Sequence, residues 1–112
     1  MKLQLKEQVQ RVIGFLVAGR YSELESLTNG IRVSAQEMAT AIADYGRNLV
    51  SPPEEAFRLM DVVEVPSADP PRWSITMPLW TREEGRSDLS IELTVIVADK
   101  GFTIELDDIH VL

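Results

Sequence analysis

Residues 89–112 of the chain read LSIELTVIVADKGFTIELDDIHVL, two stretches in which apolar and polar side chains alternate around a short polar turn. Such alternation is typical of strands with one buried side and one side facing solvent. If Asp99-Lys100 is a two-residue loop, the two stretches form a β-hairpin. Residues 73–79 alternate in the same way, and residues 59–65 are rich in β-branched side chains. The sequence therefore predicts an antiparallel meander of about four strands.

The last strand contains a break in this alternation. Its apolar residues occupy even positions through Leu106 and odd positions at Ile109 and Val111. One extra residue at Asp107-Asp108 would return the apolar side chains to the inner side, which is the signature of a β-bulge. We therefore expect a bent last strand that buries both Ile109 and Val111.

The N-terminal half shows the three- and four-residue spacing of amphipathic helices. The spacing predicts one helix over residues 2–18, and Ser34-Ala35-Gln36-Glu37 matches a capping box that begins a second helix over residues 35–45. Pro52-Pro53 suits the first turn of a short third helix. We therefore predict one α+β domain, residues 1–112, in which the N-terminal helices pack on the concave face of a curved antiparallel β-meander, a cone-like roll.

The bulk composition is that of an ordinary globular domain. The chain has 112 residues, of which 45% are hydrophobic and 26% are charged, and it contains no cysteine. This composition excludes disulfide and thiolate chemistry and fits a cytoplasmic protein. The N-terminus lacks the apolar core of a signal peptide, and no stretch is apolar over the roughly 18 residues that a membrane helix needs. We therefore expect no contact with a membrane.

Most of the net charge lies in the last quarter of the chain. The net charge is −7, and residues 83–112 hold eight acidic against two basic residues, or −6. Such a surface repels nucleic acid and attracts basic partners, although it can also serve only to keep a protein in solution. Motifs for nucleotide binding, serine hydrolysis and zinc proteolysis are absent from the sequence. The sequence therefore predicts no cofactor and favours protein binding over catalysis.

Three acidic residues are predicted to share one side of the sheet. A two-residue hairpin loop places Glu92 opposite Asp107 and Thr94 opposite Glu105. Directly opposed like charges destabilise a sheet, so a nearby arginine, a bound cation or a basic partner is expected to offset them. Spacing without a ligand cage assigns no metal site. His110, the single histidine, is predicted on the less apolar side of the last strand, and no catalytic residue is assigned.

A charged turn follows Trp80. Trp80 and Trp73 are seven residues apart, so on a regular strand they point to opposite sides. One of them then belongs to the core, and the other is either an interface anchor or is covered at the sheet edge. The turn and the acidic strand residues together give the candidate partner-binding residues, which are Trp80, Arg82, Glu83, Glu84, Arg86, Asp88, Glu92, Glu105 and Asp107.

The order of the elements resembles the nuclear-transport-factor-2-like, or SnoaL-like, cone-shaped α+β roll. The resemblance rests on an N-terminal helix, a Gly-Arg-Tyr turn at residues 19–21, two further helices and a meander that ends in a bent strand. Residues 79–89, LWTREEGRSDL, and residues 107–112, DDIHVL, are similar to motifs of small uncharacterised bacterial proteins, some of them encoded beside polymorphic or contact-dependent toxins as immunity proteins. This narrower resemblance implies an inhibitor that caps a toxin, and it transfers no catalytic residue.

Three hypotheses of function follow. The first is a non-enzymatic binding module of immunity-protein type that recognises a basic protein. The alternative is a cone-fold small-ligand binder or an isomerase- or dehydratase-like enzyme, with a pocket between the helices and the sheet. The third is a homodimer that pairs through its sheets. A large exposed acidic sheet favours the first hypothesis, and an open apolar pocket with an inward acid favours the second.

Overall fold

The computed structural model describes residues 2–112. In chain order the elements are α1 (Lys2–Val17), α2 (Tyr21–Thr28), α3 (Ala35–Tyr45), β1 (Leu49–Val50), a 3₁₀ helix (Glu54–Leu59), β2 (Asp61–Glu64), β3 (Arg72–Thr81), β4 (Gly85–Ala98) and β5 (Gly101–Val111). The predicted α+β arrangement is confirmed, because the N-terminal helices pack on a curled antiparallel sheet that forms a half-barrel. Across the described range, the helices are all too short or too polar to cross a membrane.

The sheet is built on the predicted meander of β3, β4 and β5. Two short strands, β1 and β2, both pair with the other edge of β3, β1 near its end and β2 near its beginning. Pro78 lies in the gap between them, so neither β1 nor β2 pairs with it. The predicted strand over residues 59–65 is partly wrong, because Leu59 ends the 3₁₀ helix and only Asp61–Glu64 pairs with β3.

The predicted bulge in β5 is confirmed. Leu106 pairs with Leu93 and Asp108 with Glu92, so Asp107 is the extra residue. Ile109 is consequently buried, with 7% of its surface exposed, but Val111 remains 58% exposed. The prediction that Val111 is buried is therefore wrong, because Val111 is the last residue of β5 and its side chain is left uncovered.

The turn between β3 and β4 has a regular form. Residues 82–84 connect the pair Thr81 and Gly85, and Gly85 has a φ of +75°. A three-residue hairpin loop needs a left-handed residue at this position, which glycine adopts without strain. The register then shifts, because Pro78 pairs with Ser90 while Trp80 pairs with Arg86. The sheet therefore twists where its charged turn begins.

The helices close the inner side of the sheet with one apolar core. Helix α1 buries one apolar stripe, made of Leu5, Val9, Val12, Ile13 and Leu16. The predicted capping box of α3 is present: the Ser34 hydroxyl accepts the Glu37 amide N–H at 3.1 Å, and the Glu37 carboxylate accepts the Ser34 amide N–H at 2.9 Å. Most of the fully buried side chains of the sheet are apolar, and many come from alternate positions, including Ile75, Met77, Ile91 and Leu93. The residues between them face the opposite side, which is not covered by the helical core.

Candidate functional site

The side of the sheet that faces away from the core is here called the outer face. It is defined by a row of four cross-strand partners, one from each of β2 to β5: Asp61 pairs with Thr76, Thr76 with Glu92, and Glu92 with Asp108. Directly paired residues project to the same side of a sheet. The row therefore carries three carboxylates and one hydroxyl. Along β5, His110 lies two residues after Asp108 and shares this face.

The bulge decides which acid opposes Glu92. The prediction that Asp107 lies opposite Glu92 is wrong, because the unpaired residue is Asp107 itself and the partner is Asp108. The predicted pairing of Thr94 with Glu105 is confirmed. In a regular ladder without an extra residue, Asp108 and His110 would instead face the core. The bulge therefore turns a carboxylate and an imidazole outward together.

Glu92, Asp108 and His110 form a compact cluster. Nδ1 of His110 lies 3.1 Å from Oδ2 of Asp108 and 3.3 Å from Oε2 of Glu92. The imidazole Nδ1 is buried and has no hydrogen-bond partner, which means that neither oxygen lies along its N–H direction. Each of the three residues offers one possible metal-donor atom, and these three atoms all lie within 4.8 Å of one another. Over residues 2–112, neither carboxylate has a lysine or arginine within ion-pair distance.

Asp107 is held by two residues from different parts of the chain. The Thr94 hydroxyl donates to Oδ2 of Asp107 at 2.7 Å, and Nε of Arg32 lies 3.3 Å from Oδ1. Arg32 belongs to the loop between α2 and α3 and reaches the edge strand β5. One of the offsetting groups considered from the sequence, a nearby arginine, is therefore present for Asp107. The row that contains Glu92 and Asp108 has no such arginine in the described part of the chain.

The acids of the β3–β4 turn make contacts within the chain. Glu83 accepts the Asn48 backbone N–H at 2.9 Å and the Asn48 side-chain amide at 2.6 Å, and the first of these bonds is the main reason that the pKa of Glu83 is lowered. Glu84 accepts the hydroxyl of Tyr45 at 2.8 Å. Burial and then this bond to Glu84 raise the pKa of the Tyr45 phenol. Glu84 thus ties the turn to the last residue of α3, and Glu83 ties it to the segment that follows.

The other predicted binding residues of this region lie around an open groove. Arg86 and Asp88 are exposed and line a groove of about 380 Å³, together with Asp61, Thr76 and Ser90 of the outer face. Arg82 is exposed in the turn. Trp80 and Trp73 are both partly buried and pack against the core. Neither tryptophan is therefore a freely exposed anchor.

Three contacts of this surface have no local signature in the sequence. Arg32 joins Asp107, Tyr45 joins Glu84, and Asn48 joins Glu83 only after the chain has folded. Tyr45 and Glu84 are 39 residues apart in the chain. Since spacing carries no information at such separations, the sequence offers no sign of these contacts.

The inner side of the sheet offers little chemistry. The fully buried polar residues in the described part of the chain are Thr28, Thr81 and Ser87, together with Ser90 on the outer face, and none of them titrates near neutral pH. The Ser87 hydroxyl donates to the Leu79 carbonyl at 2.8 Å, so it links β4 to β3 where their register shifts. The described residues therefore place acids and the imidazole on the outer face.

These features define an α+β protein with a curled sheet whose helix-free face is acidic. The chain belongs to the family described as "Domain of unknown function (DUF7668)", which matches residues 13–112. No curated protein and no solved structure is significantly similar to it.

Proposed function

We propose that the protein is a non-enzymatic binding module that recognises a basic protein through the outer face of its sheet. The observation that carries this proposal is the row of Asp61, Glu92 and Asp108. Within residues 2–112 these carboxylates have no lysine or arginine partner. Opposed like charges weaken a sheet, and a cationic side chain of a partner would remove that cost on binding.

The open groove beside this row supplies the directional part of the surface. Arg86 and Asp88 are exposed along it, and the partly exposed Thr76 lines it with a hydroxyl group. Charged groups at a rim set the association rate, whereas pocket-lining hydroxyls fix the orientation of the partner. Arg82 is exposed in the neighbouring turn, and Glu105 and Asp107 extend the acidic area along β5.

Glu83, Glu84 and Trp80 support this surface from within. Each acid already accepts hydrogen bonds from the chain, and the tryptophan packs on the core. Their part in binding is therefore to hold the turn in place.

The finer proposal is a cytoplasmic bacterial protein of immunity type with the cone-like architecture, whose basic partner is a toxin domain. It rests on the motifs at residues 79–89 and 107–112.

The test is co-expression with the product of the adjacent gene, followed by affinity capture and a toxicity-rescue assay. Asp61→Lys combined with Glu105→Lys should slow association about tenfold, because these charges attract a cationic partner before contact. The matched control is Glu7→Lys combined with Glu55→Lys, which changes the net charge equally on exposed residues elsewhere. Association of the wild type should also slow as salt rises.

Three results would contradict the proposal. One is the absence of both complex and rescue, and another is an equal effect of the two double variants on the association rate. The third is tight binding or turnover of a small molecule between helices and sheet, which would favour the cone-fold enzyme. A dimer of this chain that forms with increasing protein concentration and is broken by Asp61→Lys would identify a second copy as the occupant of the face.

A further inference from the structure

The cluster of Glu92, Asp108 and His110 has the composition of a metal-binding site. Beyond binding a protein, we propose that these three side chains bind one divalent first-row transition-metal ion of the Zn²⁺ class. An imidazole nitrogen with two carboxylate oxygens suits Zn²⁺ better than Mg²⁺ or Ca²⁺, which prefer oxygen donors alone.

The distances agree with a shared coordination sphere. Metal bonds to imidazole and carboxylate are about 2.1 Å long, so neighbouring donors in a sphere lie about 3.0 to 3.4 Å apart. The distances from Nδ1 of His110 to the oxygens of Asp108 and Glu92 are 3.1 and 3.3 Å. The side chains of His110, Glu92 and Asp108 are 31%, 39% and 56% exposed, so an ion has access from solvent.

The imidazole Nδ1 of this cluster has no hydrogen-bond partner within the chain. Nδ1 of His110 is buried, lies close to two carboxylates and yet makes no hydrogen bond to either of them. A hydrogen bond to either carboxylate would need the ring N–H to point at its oxygen. A metal ion bound between the three donors would instead satisfy the nitrogen lone pair and both carboxylates at once.

The backbone supplies the geometry from rigid elements. Glu92 and Asp108 are direct partners across β4 and β5, and His110 follows on the same strand after the bulge. Donors on paired strands are held more firmly than donors on loops. Three protein donors leave further coordination positions for water or for a side chain of a partner.

The experiment is a calorimetric titration of the full chain with ZnCl₂, using MgCl₂ and CaCl₂ as comparison ions. We expect one Zn²⁺ per chain and at least about tenfold weaker binding after Glu92→Gln, Asp108→Asn or His110→Gln, as loss of a ligand requires. Glu105→Gln is the matched control, because Glu105 lies on the same face outside the cluster and should keep wild-type affinity. Mg²⁺ should bind far more weakly.

A second measurement on the wild type does not depend on the folding of variants. His110 is the only histidine, so the imidazole ¹⁵N spectrum reports on one site. Zn²⁺ should shift the Nδ1 resonance, whereas a shift at Nε2 alone would contradict the assigned donor. An unchanged imidazole spectrum at saturating Zn²⁺, or equal affinities of Asp108→Asn and Glu105→Gln, would overturn the proposal. Both measurements use the chain alone, so their failure leaves the proposed protein binding standing.

Discussion

Deleting single residues of β5 tests whether the bulge decides which side chains the last strand buries. Asp107 has no partner in β4, since Leu106 pairs with Leu93 and Asp108 with Glu92. Its deletion therefore leaves a regular ladder in which every remaining residue keeps its side of the sheet. Deletion of Glu105, two residues earlier, removes a paired residue and forces Leu106 outward and Asp107 inward.

The two deletions should differ widely in their cost. Without Asp107 the protein loses one hydrogen bond from Thr94 and a partly exposed contact with Arg32, together about 1 to 3 kcal/mol. Without Glu105 it loses the burial of Leu106, which is 1% exposed, at about 1.5 to 3 kcal/mol. It also places an unpaired carboxylate in the core, which costs several kcal/mol more. That sum approaches the whole stability of a small domain, about 5 to 15 kcal/mol.

Urea unfolding followed by tryptophan fluorescence measures both deletions, because Trp73 and Trp80 pack on the core. The control is Asp107→Ala, which keeps the extra residue but loses the carboxylate and should resemble the Asp107 deletion. We expect a folded protein with a moderately lower midpoint without Asp107, and little or no folded protein without Glu105. Equal midpoints for the two deletions, or a more stable Glu105 deletion, would refute the assignment of the bulge.

Other contacts give predictions of smaller effect. Tyr45→Phe removes a phenol hydroxyl that bonds a carboxylate of the turn, and chemical denaturation should show a loss of about 1 to 2 kcal/mol. The lowered pKa of Glu83 means that its bonds to Asn48 stabilise the fold above the ordinary carboxyl pKa and are lost as the pH falls through the folded-state value. Glu83→Gln should therefore make the free energy of unfolding depend less on pH in the acidic range, which thermal unfolding at a series of pH values measures. Ile109→Ala should cost about 2 kcal/mol or more, whereas Val111→Ala, on an exposed residue, should stay within about 0.5 kcal/mol in the same unfolding assay.

Much of the fold could be predicted because its signals are local. Apolar and polar residues alternate with a period of two in β4 and β5. A shift of one residue would turn every buried side chain outward, so this pattern determines which side chains face the core. The capping box at Ser34 and the left-handed Gly46 mark the ends of α3 in the same local way. By contrast, β1 has only two residues, and its pairing depends on β3 being already in place. No pattern within residues 49–50 could indicate it.

The register at the bulge shows the limit of the pattern. Alternation indicates that β5 contains one extra residue near Asp107-Asp108, but either aspartate satisfies the pattern equally well. The structure selects Asp107, because Thr94 and Arg32 bind its carboxylate. Arg32 comes from a loop far away in sequence, so the choice depends on tertiary contacts. The acid opposite Glu92 is therefore Asp108, one residue after the predicted Asp107, and the proposed metal-binding geometry depends on this difference.

The proposed partner and the proposed metal ion both place a positive charge between Glu92 and Asp108, but they differ in what they require of His110. A lysine or arginine of a partner needs only the two carboxylates, whereas a metal ion needs the imidazole as a third donor. His110→Gln keeps both acids and should therefore weaken Zn²⁺ binding at least about tenfold while changing the association rate with a basic partner less than twofold, since rim charge sets that rate. Parallel loss of Zn²⁺ affinity and of partner association would instead show that the partner binds through the metal ion. Loss of partner association with unchanged Zn²⁺ affinity would contradict the role of His110 as a ligand.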